Sequence, residues 1–161
     1  PEADVKDLGT TFNVKAYAGD GFTETTLIEG ALEVSPTKGR PRKILLAPNE
    51  KLVLHHGPAA AQPEGEHTEP QKVVPFSATN DIVETAWVEN KLIFRNERFS
   101  DLAASMERRY NVAIVIEEED MKAWQLTGIF KNESLEEALK LLQVIAPFKF
   151  TLTNDKVLIT R

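Results

Sequence analysis

Phe94-Arg95-Asn96-Glu97 and, 36 positions later, Phe130-Lys131-Asn132-Glu133 are two versions of one phrase. Each closes a β-like run and opens a helical pattern. The same shift pairs Phe99 with Leu135, Leu102 with Ala138, Met106 with Leu142, Val112 with Phe148 and Ile114 with Phe150, without a gap. A strand–helix–strand unit of this size cannot bury its apolar face alone, so two copies are expected to share one core.

Working outward, Lys91–Phe94 reads as a strand, and Phe99, Leu102, Ala103, Met106 and Tyr110 recur at helical spacing. Val112–Ile116 is a β run, Glu117–Asp120 a solvated turn, and Trp124–Phe130 the next strand. Ser134 and Glu137 have the spacing of a capping box, and Leu135, Ala138, Leu139, Leu142 and Ile145 form a buried stripe. Pro147 ends that helix. Two strands, Phe148–Leu152 and Val157–Ile159, then flank the turn Thr153–Lys156. The order β-α-β-β-α-β-β predicts a two-layer α/β domain over 76–161 with both helices on one side of a sheet.

Before residue 55 the pattern is different. Phe12, Val14 and Ala16 alternate with polar neighbours, and short β-like runs follow at Phe22–Glu29, Ala31–Val34, Ile44–Leu46 and Leu52–Leu54. Residues 1–56 are expected to be an all-β antiparallel domain of about five strands, so the chain's fold class is mixed. Residues 57–75 hold Pro58, Pro63, Pro70 and Pro75 and read as a linker; the alternative is an arm lying across the β unit.

Charge and composition narrow the function. The net charge is -6, with 8 Lys/Arg against 13 Asp/Glu in residues 1–86 and 11 against 12 in 87–161. That balance disfavours nucleic acid or an anionic membrane as partner. There are no cysteines, so thiolate chemistry and disulfides are excluded. No apolar run is long enough to span a bilayer, and the Pro1-Glu2-Ala3-Asp4-Val5 opening reads as a portion of a longer protein.

No grouping asks for catalysis or a cofactor. His55 and His56 are adjacent, so on a strand they point to opposite faces, and His67 lies in the Pro-rich stretch. Glu117–Asp120 lacks the spacing and glycine of a calcium loop. Glu133, Glu136 and Glu137 suit the first turn of a helix. No phosphate loop or nucleophile elbow is present. Asn96 and Asn132 are expected in turns between strand and helix. Trp87, Phe94, Trp124 and Phe130 read as core residues on strands. An exposed sheet edge is the expected working surface, at Lys156–Thr160 or Trp124–Phe130, with Arg95, Lys131, Trp124 and Lys156 as candidate docking residues.

Thr11-Phe12-Asn13-Val14, Thr25–Gly30, Leu32-Glu33-Val34 and Leu46-Ala47-Pro48-Asn49-Glu50 resemble the all-β domain of FecR-type anti-sigma regulators. Trp87, Lys91–Phe94 with Asn96-Glu97, Leu126-Thr127-Gly128, Phe130–Leu139 and Pro147–Phe150 resemble the C-terminal domain of such proteins from Bacteroides-like bacteria. That domain is similar to the short N-terminal signalling domain of secretins and TonB-dependent transducers. The resemblance implies the periplasmic portion of an inner-membrane anti-sigma factor, with a transducer's signalling domain as partner. The sigma factor would be held only through a cytoplasmic segment outside this sequence. The family assigns no catalytic residues. A carbohydrate- or peptide-binding envelope module is the alternative.

Overall fold

In the computed structural model, residues 3–7, 9–17, 20–37, 42–55 and 69–161 are described. The chain divides into two units, Pro1–Pro75 and Phe76–Arg161. Strand-forming alternation organises the first. Leu32 and Val34 are buried either side of Glu33 on β4 (Leu32–Pro36), which lies between β1 (Ala3–Asp7) and β5 (Ile44–Leu46). A second antiparallel sheet runs β2 (Thr11–Lys15), β3 (Phe22–Glu29), β6 (Glu50–His55), β7 (Gln71–Lys72). Leu27 and Leu52 from this sheet join Leu32, Val34, Ile44 and Leu46 in one core. Gly30 turns β3 into β4 with φ +93°, and a Cβ there would stand 2.8 Å from the Gly9 carbonyl oxygen. Only glycine fits.

Two features of this unit bear on the sequence reading. Phe12 and Val14 pair with buried Thr25 and Leu27 neighbours on β3, yet Phe12 is 36% and Val14 44% exposed. They sit on the edge strand, where the core has nothing beyond it. The stretch 57–75 is expected as a linker or as an arm across the β unit; 57–68, with His67, lies outside the described residues, as does His56. Gln71-Lys72 is a strand on β6, Val73 N–H donates to the Asn49 carbonyl at 2.9 Å, and Glu69 pairs with Arg42 at 2.6 Å. Main-chain pairing needs no apolar side chain, so hydropathy gave no sign of it.

In the second unit the 36-residue echo becomes a local pseudo-symmetry. β8 (Leu92–Arg98) pairs antiparallel with β10 (Gln125–Phe130), and Ile93 faces Ile129, its own repeat equivalent. Phe94 faces Gly128, and Leu92 faces Phe130, so a two-fold axis relates the repeats through the isoleucine pair. The helices that follow, α1 (Phe99–Tyr110) and α3 (Leu135–Ile145), start 36 residues apart. So do the next strands, β9 (Ala113–Ile116) and β11 (Lys149–Leu152). Both of those flank β12 (Lys156–Thr160), β9 parallel to it and β11 antiparallel.

The expectation of one sheet with two helices behind it is therefore corrected. There are two small sheets, and one core joins Phe94, Leu126 and Phe130 of the first to Ile116, Val157 and Ile159 of the second. Phe99, Leu102, Ala103 and Met106 from α1 and Ala138, Leu139 and Leu142 from α3 fill it. Burial of this stripe, more than helix propensity, is what holds helices of three turns in place.

Four further local readings change. Residues 83–89 form a 3-10 helix closed by left-handed Asn90, so Trp87 is not on a strand. Glu119–Lys122 is a short helix, α2, whose Met121 is fully buried. Ile145 leaves the core stripe and is 54% exposed. Trp124 precedes β10 and stacks on Phe99, with ring centroids 6.4 Å apart and planes 6° off parallel.

Candidate functional site

The two copies of the phrase do different jobs, and register explains why. In the first copy β8 continues past Asn96, with Glu97 opposite Leu126 and Arg98 opposite Gln125. Between Phe94 and Glu97 the strand carries one residue more than β10, a bulge. Asn96 takes φ +48°, and its N–H donates to Thr127 Oγ1 at 2.8 Å. Asparagine tolerates that left-handed geometry better than most side chains. So Asn96 is a bulge residue inside a strand, which corrects the expected strand-to-helix turn. In the second copy Phe130 already faces Leu92, the first residue of β8. No partner remains beyond it, and the chain bends away through Lys131-Asn132.

The bend is clasped by the end of α1. Arg109 donates to the carbonyls of Asn90 (2.8 Å) and Lys131, and Tyr110 Oη donates to the Glu133 carbonyl at 3.1 Å. Burial pushes the Tyr110 phenol above its ordinary pKa. Asn90 and Asn132 join side chain to side chain at 3.2 Å. Beside them Lys91 pairs with Asp81 at 2.8 Å. The hydrogen bond from Lys91 holds the Asp81 carboxyl below its usual range, and Asp81 in turn raises Lys91.

Ser134 caps α3: its Oγ accepts from Glu137 N–H, and the Glu137 carboxylate accepts from Ser134 N–H at 2.8 Å. That backbone N–H, with the Ser134 hydroxyl, lowers the Glu137 pKa from its ordinary 4.5. A lowered folded pKa gives stability that is present above the unfolded value and lost as pH falls through the folded one. Glu137→Gln is therefore expected to flatten the loss of stability below about pH 4.5 in acid titrations followed by circular dichroism. Ser134→Ala, which strips the cap, should cost about 1 kcal/mol in urea unfolding at neutral pH.

The candidate docking residues do not gather into one place. Arg95 is exposed beside the bulge, its guanidinium 5.7 Å from the Phe76 ring. Lys131 is exposed at the clasped bend. Trp124 is half-buried against Phe99 and offers no free anchor. Lys156 begins β12, which lies between β11 and β9, so Lys156–Thr160 is a central strand and not the expected edge. Among the described residues no cluster of His, Asp and Glu could hold a metal ion.

Three exposed surfaces carry apolar side chains that hydropathy assigns to a core. Trp87 and Val88 protrude from the 3-10 helix, 65% and 69% exposed. Leu141, Val144 and Ile145 form an exposed apolar stripe on α3, at the i, i+3, i+4 spacing that sequence alone assigns to a core face. The third is the open face of the β11-β12-β9 sheet, where register sets Thr151, Leu158 and Val115 in one row. Lys149 and Thr160 lie in the row on one side of it, Lys156 and Ala113 in the row on the other. A row of threonine, leucine and valine with a lysine in the row on either side suits contact with another protein more than chemistry on a small molecule.

Residues 91–159 match the family model for the FecR C-terminal domain. This part of the chain is similar to the FecR C-terminal domain. The match runs from Lys91, just before β8, to Ile159 in β12, and so takes in both repeats. Two crystal structures of a candidate anti-sigma factor from Parabacteroides distasonis ATCC 8503, at 1.65 and 2.50 Å, are similar to the chain as a whole. Each has a TM-score of 0.76 and 25% identity, covering 99% of this chain and 68% of the other. No curated protein matches the sequence. The clasp of Arg109 and Tyr110, the bulge at Asn96, the capped α3 and its exposed stripe all lie within the matched residues, as does nearly all of the open sheet face. Trp87 lies just outside the matched residues. Among the described residues no helix is long and apolar enough to cross a membrane.

Proposed function

We propose that this chain is the periplasmic sensor portion of a transmembrane anti-sigma factor. It relays the state of a TonB-dependent outer-membrane transducer by protein–protein docking. The observation that carries the reading is the likeness of nearly the whole chain to the Parabacteroides candidate anti-sigma factor, together with the FecR C-terminal match. The second unit, 76–161, is the docking module, and the β unit, 1–56 with its continuation, passes the signal towards the membrane. Residues 57–75 join the two. Docking with differential affinity for two states is sufficient for such a relay, and it needs no catalytic group and no cofactor. The sigma factor contacts a cytoplasmic segment outside these residues.

The test is a titration of the full 161-residue chain with the periplasmic signalling domain of the TonB-dependent transducer encoded beside its gene. Amide shifts are expected, concentrated in residues 76–161. Unchanged spectra at high micromolar concentration would end the proposal.

A further inference from the structure

We propose that β11 is a docking edge, on which an extended acidic segment of a partner protein adds as a fourth strand to the β11-β12-β9 sheet. The inference rests on the docking function just proposed, and it commits to one edge and one mode.

The two edges of this sheet are not equivalent. On β9, Ala113 N–H donates to Asp155 and Glu117 N–H to Ile159, so alternate residues face β12 and Ile114 and Ile116 face outward. That outer edge is largely occupied. Ile114 N–H donates to the Glu107 carboxylate at 2.6 Å, and Val112 N–H donates to the Glu107 carbonyl at 3.3 Å. The end of α1 thus covers β9 with its own acceptors.

On β11 the bonded pair Thr153–Lys156 fixes the alternation. Thr151 with Leu158 and Lys149 with Thr160 are then bonded pairs, leaving the N–H and C=O of Phe150 and Leu152 directed away from β12. These groups meet no partner among the described residues. The edge ends at Phe148, whose carbonyl accepts from Gln143 Nε2 at 2.8 Å. What remains is a two-residue, four-bond template of the kind that takes a strand from another chain. The β8–β10 ribbon is less suited, because its bulge at Asn96 twists the strands.

Charge selects the occupant. Lys149 on β11 and Lys156 at the start of β12 are exposed and make no ion pair among the described residues. Asp155 at the hairpin tip is the acidic group closest along the chain. A strand bearing a carboxylate on the open-face side meets Lys149 directly, with Lys156 one strand further in on β12, whereas a basic strand is repelled.

The test uses the full chain and a capped seven-residue peptide, Thr-Val-Glu-Val-Glu-Val-Thr. Amide hydrogen exchange at Phe150 and Leu152 is expected to slow on adding it, with Ile116 unchanged. Lys149→Glu should weaken binding about fivefold, the upper range for one exposed charge pair. Leu152→Pro removes an outward N–H without touching the β12 ladder and should abolish binding. Protection at Ile116 instead of β11, no protection at millimolar peptide, or undiminished binding by folded Leu152→Pro each overturns the inference. If the transducer domain binds the chain without protecting β11, this inference alone fails. If the peptide seats on β11 and the transducer domain does not bind, only the proposed relay fails.

Discussion

Phe99→Ala is expected to destabilise the second unit by about 3–5 kcal/mol, the cost of truncating a fully buried aromatic. Phe99 begins α1 at the point where both repeats meet. Its ring stacks on Trp124, lies 5.4 Å from Phe148 of the second repeat, and its N–H donates to the Trp124 carbonyl at 2.7 Å. The surroundings are drawn from α1, the approach to β10 and the approach to β11, so they cannot collapse together into the space left behind. A fall in Tm of roughly 15–30 °C follows for a unit of this size. Both tryptophans, Trp87 and Trp124, lie in this unit, so fluorescence melting reads it directly. A Tm within a few degrees of wild type would mean that Phe99 is not the joint between the repeats.

The second large effect is expected at Gly128. Its cross-strand partner is Phe94, and the Phe94 ring lies across the glycine. A Cβ there would stand 2.6 Å from Phe94 Cζ and 3.1 Å from Cε2. Phe94 is fully buried and sits against Phe130, with centroids 5.1 Å apart, so the ring has nowhere to retreat. Gly128→Ala should cost about 1–3 kcal/mol through overpacking. Shortening the ring gives the diagnostic control. The double variant Gly128→Ala, Phe94→Leu should lose less stability than the two single changes added together. Strict additivity in urea unfolding would contradict the contact.

These two sites show what was legible in the chain. Phe99 and its equivalent Leu135 could be assigned to a core face from helical spacing, and the burial of Leu102, Met106, Leu139 and Leu142 follows the same periodicity. The cap at Ser134 and Glu137 is local chemistry, closed within one turn, and so it can be read from four residues. Gly128 gave no such sign, because its constraint comes from a ring 34 residues earlier.

The same distinction holds for the candidate surface. Trp87 has a core residue's hydropathy, but the chain around it closes a 3-10 turn that leaves it 65% exposed. Leu141, Val144 and Ile145 carry a core pattern for the same reason: periodicity finds a stripe and does not say whether anything covers it. Gln71-Lys72 is the reverse case, a polar strand paired to β6 through its main chain.

By itself the sequence determined the duplicated strand–helix–strand unit, the change from β to mixed structure along the chain, and the family its phrases resemble. Those are properties of spacing and of short-range chemistry. Only the tertiary structure decided that the two copies of the phrase face each other about Ile93 and Ile129, that β12 is central, and that β11 is the open edge. Strand order and edge exposure depend on which backbone groups meet across long separations. No local residue pattern encodes that pairing.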